Sequence, residues 1–198
     1  TGNVDCNGCF TGLGPDPVND YSGTTTVRNS GILYITSPYS LGTTAGDTTV
    51  EEGSMLEFGM LDTNTVPVAE DITVSGAGIG IDTGVLRNYS ANDVYYSGSI
   101  TLDGDSTFDQ EDGGMFNISG EIGGTGDLTL VGNDPESHFD FTSNGTNDYV
   151  GTTNINGVVL NLQGANDTVS IPGDININAI DAPAQVNDQR YQKISDTS

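Results

Sequence analysis

The densest group of side chains that could do chemistry is a run of carboxylates between residues 103 and 113. It contains Asp103, Asp105, Asp109 and Glu111, with hydroxyl and amide oxygens between them. Oxygen ligands of this kind are what Ca²⁺ requires, about six to eight of them per ion. The spacing of an EF-hand loop and its final bidentate Glu are not present. The run therefore predicts either a calcium site or a set of solvated turns.

Cys6 and Cys9 are the two cysteines of the chain and form a single C-x-x-C in a glycine-rich stretch. A zinc site would need a second pair of ligands at a matching spacing, and no such pair follows. A thioredoxin-like redox pair would begin a helix, which nothing near residues 1–15 predicts. We expect a local disulfide between Cys6 and Cys9, with free thiols and a redox or metal role as the alternatives.

Catalysis on a polysaccharide would need paired carboxylates on one outer face. Asp82, Asp103 and Asp127 are candidates for such a set, although the sequence specifies neither their spacing nor a cationic partner. The single histidine, His138, alternates with phenylalanines, so we expect a wall or surface residue rather than a ligand or a base. No catalytic residue is predicted, and we interpret the chain as a non-enzyme.

The charge balance is strongly acidic, with 4 Lys and Arg against 28 Asp and Glu and a formal net charge of −24. Nucleic acid is not an expected partner, because its affinity comes largely from cations that neutralise phosphate. An acidic surface stays soluble and attracts cations, which favours an extracellular setting, while a merely solvated surface is the plain alternative. No apolar run approaches the roughly 18 residues that predict a membrane span.

The elements that would position these residues are short strands. The chain has 28 Gly and no Trp, and apolar residues fall at every second position within short runs bounded by Gly, Asn and Asp. That period predicts strands with one buried face. The candidate strands are 24–28, 32–36, 48–51, 55–58, 71–75, 99–103, 106–109, 115–119, 127–131, 138–142, 152–155, 158–162, 168–171 and 174–178.

Internal repetition separates a stacked solenoid from an antiparallel sandwich. The segment 20–27, DYSGTTTV, recurs at 148–155 as DYVGTTNI, and each copy precedes an apolar strand. A weaker echo, NDVYYSGSI, lies between them at 92–100. Self-similarity of this kind is typical of stacked repeat architectures.

Two segments carry a resemblance to a known family. Residues 126–132, GDLTLVG, and 147–162, NDYVGTTNINGVVLNL, resemble the autotransporter-associated (passenger-associated) β-strand repeat. The similarity spans roughly residues 20–180, and the chain departs from the pattern at Val158 and Val159, where a small residue and Leu are commoner. The resemblance implies an all-β, right-handed parallel β-helix of a secreted or surface-anchored bacterial protein, associated with adhesion or display. It implies no catalytic residue.

The physical logic of the motif gives expectations for single residues. Gly151 and Gly157 are expected at corners that need a positive φ or a close approach to the neighbouring coil. The inward side chains should stack on equivalents one coil away, because no single coil can bury its own apolar face. They are Leu128, Leu130, Ile155, Leu160 and Leu162.

Three parts are expected along the chain: an N-terminal cap or incomplete coil with the cysteines at 1–19, the β-helix at 20–180, and a C-terminal tail or cap at 181–198. The tail carries Arg190 and Lys193, half of the basic residues, together with Tyr191. We expect it either to cap the last coil or to dock on the acidic surface of a neighbouring copy, head to tail.

The sequence therefore favours a non-enzymatic extracellular structural or adhesive surface β-helix. Its partner would be a cell-surface or polysaccharide target, and no cofactor beyond calcium is expected. A self-assembling subunit of an extracellular filament is the first alternative, and a polysaccharide-binding or polysaccharide-cleaving β-helix is the second.

Overall fold

A computed structural model describes residues 4–7, 10–13, 19–59, 66–80, 83–179, 184–188 and 193–194, and none of these residues is helical. They form twenty short strands, which are, in chain order, β1 Val4–Asn7, β2 Phe10–Leu13, β3 Thr25–Arg28, β4 Ile32–Ile35, β5 Thr48–Val50, β6 Met55–Phe58, β7 Ile72–Gly76, β8 Leu86–Asn88, β9 Val94–Tyr96, β10 Ile100–Gln110, β11 Met115–Ile118, β12 Ile122–Gly124, β13 Leu128–Gly132, β14 His138–Phe141, β15 Thr153–Asn156, β16 Val159–Leu162, β17 Val169–Ile171, β18 Ile175–Asn178, β19 Gln185–Asp188 and β20 Lys193–Ile194.

The strands stack as three walls of a parallel β-solenoid of about seven turns. The first wall contains β1, β3, β5, β7, the start of β10, and β12. Backbone hydrogen bonds of residues 147–150 continue this wall towards β17 and β20. The second wall contains β2, β4, β6, β8, the end of β10, β13, β15 and β18. The third contains β9, β11, β14, β16 and β19.

One long strand, β10, turns the corner between two walls without ending. Its first residues pair with β7 in the first wall, and Phe108 pairs with Leu86 of β8 in the second. The register shifts between Leu102 and Ser106, and Gly104 between them has a φ of 133°. The two strands predicted at 99–103 and 106–109 are therefore a single bent strand.

The core is the inside of the solenoid, where period-2 alternation turns one residue of each pair inward. All five inward residues expected from the motif are fully buried, which confirms that prediction. The bulkiest of the fully buried side chains are aromatic. Phe116 lies against Phe58 with ring centroids 5.2 Å apart and stacks on Phe139 at 5.7 Å, and Phe58 also meets Tyr96 edge to face at 6.2 Å.

Both predicted corner glycines are confirmed, and each is required for a different reason. Gly157 has a φ of 64°, a backbone conformation that glycine adopts at no steric penalty. A Cβ on Gly151 would lie 2.4 Å from the carbonyl oxygen of Gly126 in the coil below. Glycine at that position therefore lets neighbouring coils approach at the normal spacing between strands.

The prediction of an all-β parallel β-helix is confirmed. The strands that the periodicity did not predict include β8, β9 and β12, which are only three residues long, and β19. Three alternating residues do not always stand out from a turn, although β5 and β17, which are as short, are predicted. Strand pairing also crosses the expected boundaries between the β-helix and the two terminal parts of the chain. At one boundary β1 pairs with β3, and at the other β19 pairs with β16.

Candidate functional site

The second wall carries a ladder of charged side chains centred on Arg87. Glu57 on β6, Arg87 on β8 and Asp109 on β10 are register partners on three successive strands. Their side chains lie on the outer face, because Leu56, Leu86 and Phe108 beside them point into the core. The stacking of strands therefore places one cation between two carboxylates that are both far from it in the sequence.

Arg87 contacts three carboxylates and one ring. Its Nε donates to Oδ2 of Asp109 at 3.1 Å, its Nη1 lies 3.6 Å from Oε2 of Glu57, and its Nη2 pairs with Glu111. The guanidinium carbon lies 4.6 Å from the ring centroid of Tyr89, within range of a cation–π interaction. Burial raises the pKa of Glu57, and the charge of Arg87 lowers it. We call these five residues the Arg87 ladder.

The structure divides the four residues of the predicted calcium site. Asp109 and Glu111 lie in the Arg87 ladder, whereas Asp103 and Asp105 are exposed near the corner at Gly104. Oδ1 of Asp105 accepts a hydrogen bond from the backbone N–H of Asp127 at 3.0 Å. Among the described residues, no group of three or more His, Cys, Asp or Glu is arranged to hold a metal ion. Calcium binding at these four residues stays a prediction from the sequence.

A second feature is the buried carboxyl of Glu70, whose residue is 3% exposed. Its Oε1 accepts a hydrogen bond from Oγ1 of Thr48 at 3.3 Å, and its backbone oxygen accepts one from the hydroxyl of Tyr96 at 2.5 Å. Oε2 is buried and has no hydrogen-bond partner in the part of the chain that the structure describes. A buried polar atom without a hydrogen-bond partner is rare in proteins and marks a group that can still accept a hydrogen bond.

Glu70 lines a surface cleft of about 350 Å³, which we call the Glu70 cleft. Leu41 is buried beneath it, and Tyr39, which is 45% exposed, lies at its rim. This volume is at the lower end of the range for small-molecule pockets. The other lining residues are mostly apolar or uncharged, apart from one more acid: Asn19, Asp20, Pro38, Gly42, Thr43, Thr44, Pro67 and Ala69.

The electrostatic environment of Glu70 favours its neutral form. Its pKa is raised to about 7: burial raises it most, the hydrogen bond from Thr48 lowers it, and the charges of Asp47 and Asp71 raise it. Burial also raises the pKa of Tyr96, and the charge of Glu70 raises it further. The cleft therefore contains a carboxyl group that changes charge near neutral pH.

Glu70→Gln is expected to change how stability depends on pH. The folded protein binds the Glu70 proton more tightly than the unfolded chain, for which the ordinary value is 4.5, so ionisation opposes folding as the pH rises towards 7. Relative to the variant, the wild-type chain should lose up to about 3 kcal/mol of unfolding free energy between about pH 4 and pH 8. Urea unfolding at both pH values measures this difference.

Asp174→Asn is the matched control for that experiment, since it removes an exposed carboxylate that does not line the cleft. For this control, the difference from wild type in the free energy of unfolding should be nearly the same at both pH values. An equal difference between wild type and Glu70→Gln at both pH values would show that the carboxyl is not desolvated.

A second cleft, of about 380 Å³, lies beside the other copy of the repeat and is lined by Asn147, Asp148 and Tyr149, among others. The copies share their local structure. The hydroxyl of Tyr149 hydrogen-bonds Oγ1 of Thr153 at 2.5 Å, as that of Tyr21 bonds Oγ1 of Thr25 at 2.8 Å. The two motifs are nevertheless in different walls, because β3 belongs to the first wall and β15 to the second. The sequence repeat thus builds the same corner at two places around the solenoid.

Both motifs are preceded by an asparagine that fixes the corner to the next coil. Nδ2 of Asn19 donates to the backbone oxygen of Ser40, and Nδ2 of Asn147 donates to that of Ser170, both at 2.8 Å. The first motif lines the Glu70 cleft and the second lines the other cleft. The repeat is therefore a sequence signal for the clefts as well as for the stacking of coils.

The remaining predicted residues have structural roles or lie outside the description. Oδ1 of Asp127 accepts from the backbone N–H of Thr152 at 2.7 Å, which joins two coils. His138 is a partly buried residue of the third wall, as expected. Cys6 lies in β1 and Lys193 in β20, whereas Asp82, Cys9, Arg190 and Tyr191 lie outside the described residues. The disulfide and the self-assembly contacts of the tail stay predictions.

Sequence reasoning did not identify Glu70, or Arg87 as the centre of a site. Glu70 lies in a short stretch between Pro67 and the strand that begins at Ile72, with no periodicity or motif around it. Arg87 lies on β8, which the periodicity does not predict, and its partners are determined by which strands stack. The available signal was that basic residues are rare in this chain, with 4 Lys and Arg against 28 Asp and Glu. A basic residue in so acidic a chain is expected to lie close to carboxylates.

Within the described part of the chain, these features define a parallel β-solenoid with an acidic outer surface, a charged ladder, and a cleft beside each copy of the repeat. Comparison of the chain with family models, curated proteins and solved structures found no match. Among the residues that the structure describes, no helix is long and apolar enough to cross a membrane.

Proposed function

We propose that the chain is a non-enzymatic structural and adhesive element of an extracellular surface. The observation that carries this proposal is the uninterrupted stack of coils around one core. About seven turns, at roughly 4.8 Å each, make a column on the order of 34 Å long. A column of this kind resists bending, because every coil is hydrogen-bonded and packed to the next. It is suited to holding a binding surface at a distance from its attachment point.

Surface charge and sequence resemblance support the same proposal. A net charge of −24 keeps such a column soluble and repels anionic partners, which favours neutral or cationic targets. The resemblance to the autotransporter-associated repeat favours display at a bacterial surface. The corner clefts provide concave positions at which a polysaccharide unit could bind.

An adhesion assay tests the proposal. Beads coated with the chain should be retained on at least one of a set of neutral, amino-bearing and acidic polysaccharide surfaces, and retention should exceed that of beads coated with polyglutamate. The polyglutamate control separates specific binding from the effect of acidic charge alone. Retention no greater than this control on every surface would contradict an adhesive role. New reducing ends made by the wild-type chain but not by Glu70→Gln would contradict a non-enzymatic one.

A filament subunit is the second candidate, favoured by the exposed end of the second wall. Among the described residues, β18 pairs only with β15. Ile177 on β18 is 49% exposed, although its register partner Ile155 is fully buried. Asn176 and Asn178 hydrogen-bond the asparagines of β15 at 3.0 and 2.9 Å, so this edge presents amides ready to continue the ladder. A second copy could add β2, the first strand of its own second wall, to this edge, head to tail.

Electron microscopy and sedimentation, with and without Ca²⁺, test the filament. Wild type should form regular filaments at high concentration, and Ile177→Lys should prevent them. Val150→Lys is the matched control, because it places the same charge at an apolar residue that is 70% exposed on a side wall. Monomers at all concentrations would contradict the filament and leave the adhesive role in place.

A further inference from the structure

We propose that the Glu70 cleft binds an amino-sugar unit of a surface polysaccharide, with the sugar ammonium group at the buried carboxylate. This inference rests on the adhesive function proposed above and specifies its ligand. Three properties of the cleft support it: a lining residue with an unpartnered buried acceptor, an acidic surrounding, and an apolar rim.

The unpartnered acceptor identifies the kind of group that the ligand must bring. Oε2 of Glu70 is buried without a partner in the described part of the chain, while Oε1 already accepts from Thr48. An unmet buried acceptor carries a free-energy penalty that a ligand donor removes on binding. The ligand therefore needs an N–H or O–H donor that can reach the carboxyl group of Glu70.

The charges around Glu70 favour a cationic donor over a neutral one. Asp20 lines the cleft, and Asp47 and Asp71 act on Glu70 through their charges. None of the lining residues is basic. The titratable groups near Glu70 are thus three aspartates together with Tyr21 and Tyr96, and a cation is stabilised by all of the carboxylates at once. An ammonium group satisfies the acceptor and reduces the repulsion among the acids.

The rim of the cleft suits a sugar ring. Tyr39 is exposed at one side, and Pro38 and Pro67 add apolar surface. Aromatic and proline faces pack well against the C–H face of a ring, and a volume of about 350 Å³ is large for the narrow side chain of a lysine. Acidic sugars are disfavoured by the net charge of −24. An amino sugar combines the required ring and cation.

Calorimetric titration of the full chain at about pH 7.5 with oligomers of glucosamine tests the inference. The N-acetylated oligomer is the matched ligand, because it keeps the ring and removes the charge. Binding of the free amine should be roughly tenfold tighter or more, as expected for a hydrogen bond to a charged group. Glu70→Gln should weaken it by a similar factor, and Asp174→Asn should leave it unchanged. At about pH 5.5 the wild-type affinity should fall, since Glu70 is then protonated.

Each other outcome would overturn the inference. Equal binding of both oligomers would indicate a neutral-sugar cleft, and equal binding of a lysine amide would indicate a protein ligand. No binding of either oligomer by a wild-type chain whose unfolding curve is cooperative would show that the cleft has no such ligand. Adhesion that survives Glu70→Gln would leave the adhesive role intact while removing this site from it, so the two proposals fail separately.

Discussion

Arg87→Met is expected to lower the free energy of unfolding by about 3–5 kcal/mol near neutral pH, because it leaves buried carboxylates without their cation. The side chains of Glu57 and Asp109 are 11% and 2% exposed, so water replaces little of the lost interaction. Methionine keeps much of the apolar stem, which separates the loss of charge from a loss of packing. Urea unfolding of both proteins, followed by circular dichroism, measures the difference.

Two control variants make this prediction specific. Glu111→Gln should cost about 1 kcal/mol or less, since the side chain of Glu111 is 26% exposed and solvent screens its pairing. A triple variant, Arg87→Met with Glu57→Gln and Asp109→Asn, should recover most of the loss, because the one carboxylate then left without its cation, that of Glu111, is the most exposed of the three. A loss that persists in the triple variant would show that the arginine acts through packing instead.

Phe116→Ala is expected to lower the free energy of unfolding by about 3–5 kcal/mol, the usual effect of deleting a buried aromatic ring. Phe116 is fully buried and contacts Phe58 across the solenoid and Phe139 in the next coil. The cavity would therefore interrupt the core both across one coil and between coils. Urea unfolding gives the size of the loss, and amide hydrogen exchange in β11 and β14 shows whether these coils open first.

Phe116→Leu is the matched variant, because it removes less volume and should cost under about 1.5 kcal/mol. A loss below about 1 kcal/mol for Phe116→Ala would mean that the coils collapse around the gap. It would also mean that the packed rings of Phe58, Phe116 and Phe139 are not the main support of the middle coils. A similar loss for both variants would instead point to the ring-to-ring geometry rather than to volume.

The fold could be predicted to a large extent from local patterns. Alternating apolar residues such as Leu128 and Leu130 predicted both the strands and their inward faces, because a strand has only two faces and one of them must avoid water. Gly151 and Gly157 were predicted as corners for reasons that are also local. The very short strands β8 and β9 were missed, since their patterns extend over only three residues.

The candidate sites were much less predictable, because they depend on which coil lies above which. One coil runs from Val4 to its register partner Thr25, whereas a considerably longer one runs from Leu56 to Leu86. With coil lengths that vary this much, no fixed spacing in the sequence predicts that Arg87 lies between Glu57 and Asp109. The carboxylates at 103–113 looked like one cluster because they are neighbours in sequence, yet the bend of β10 places them on two walls.

The sequence by itself determined the short strands, their buried faces, the corner glycines and the acidic surface, since each of these follows from residue types within a few positions. Only the tertiary structure decided the partners of Arg87, the burial of Glu70 and the position of the two repeat copies in different walls. The physical reason is that stacking, not chain neighbourhood, sets the contacts between coils. A carboxyl can be exposed or desolvated according to what lies one turn away.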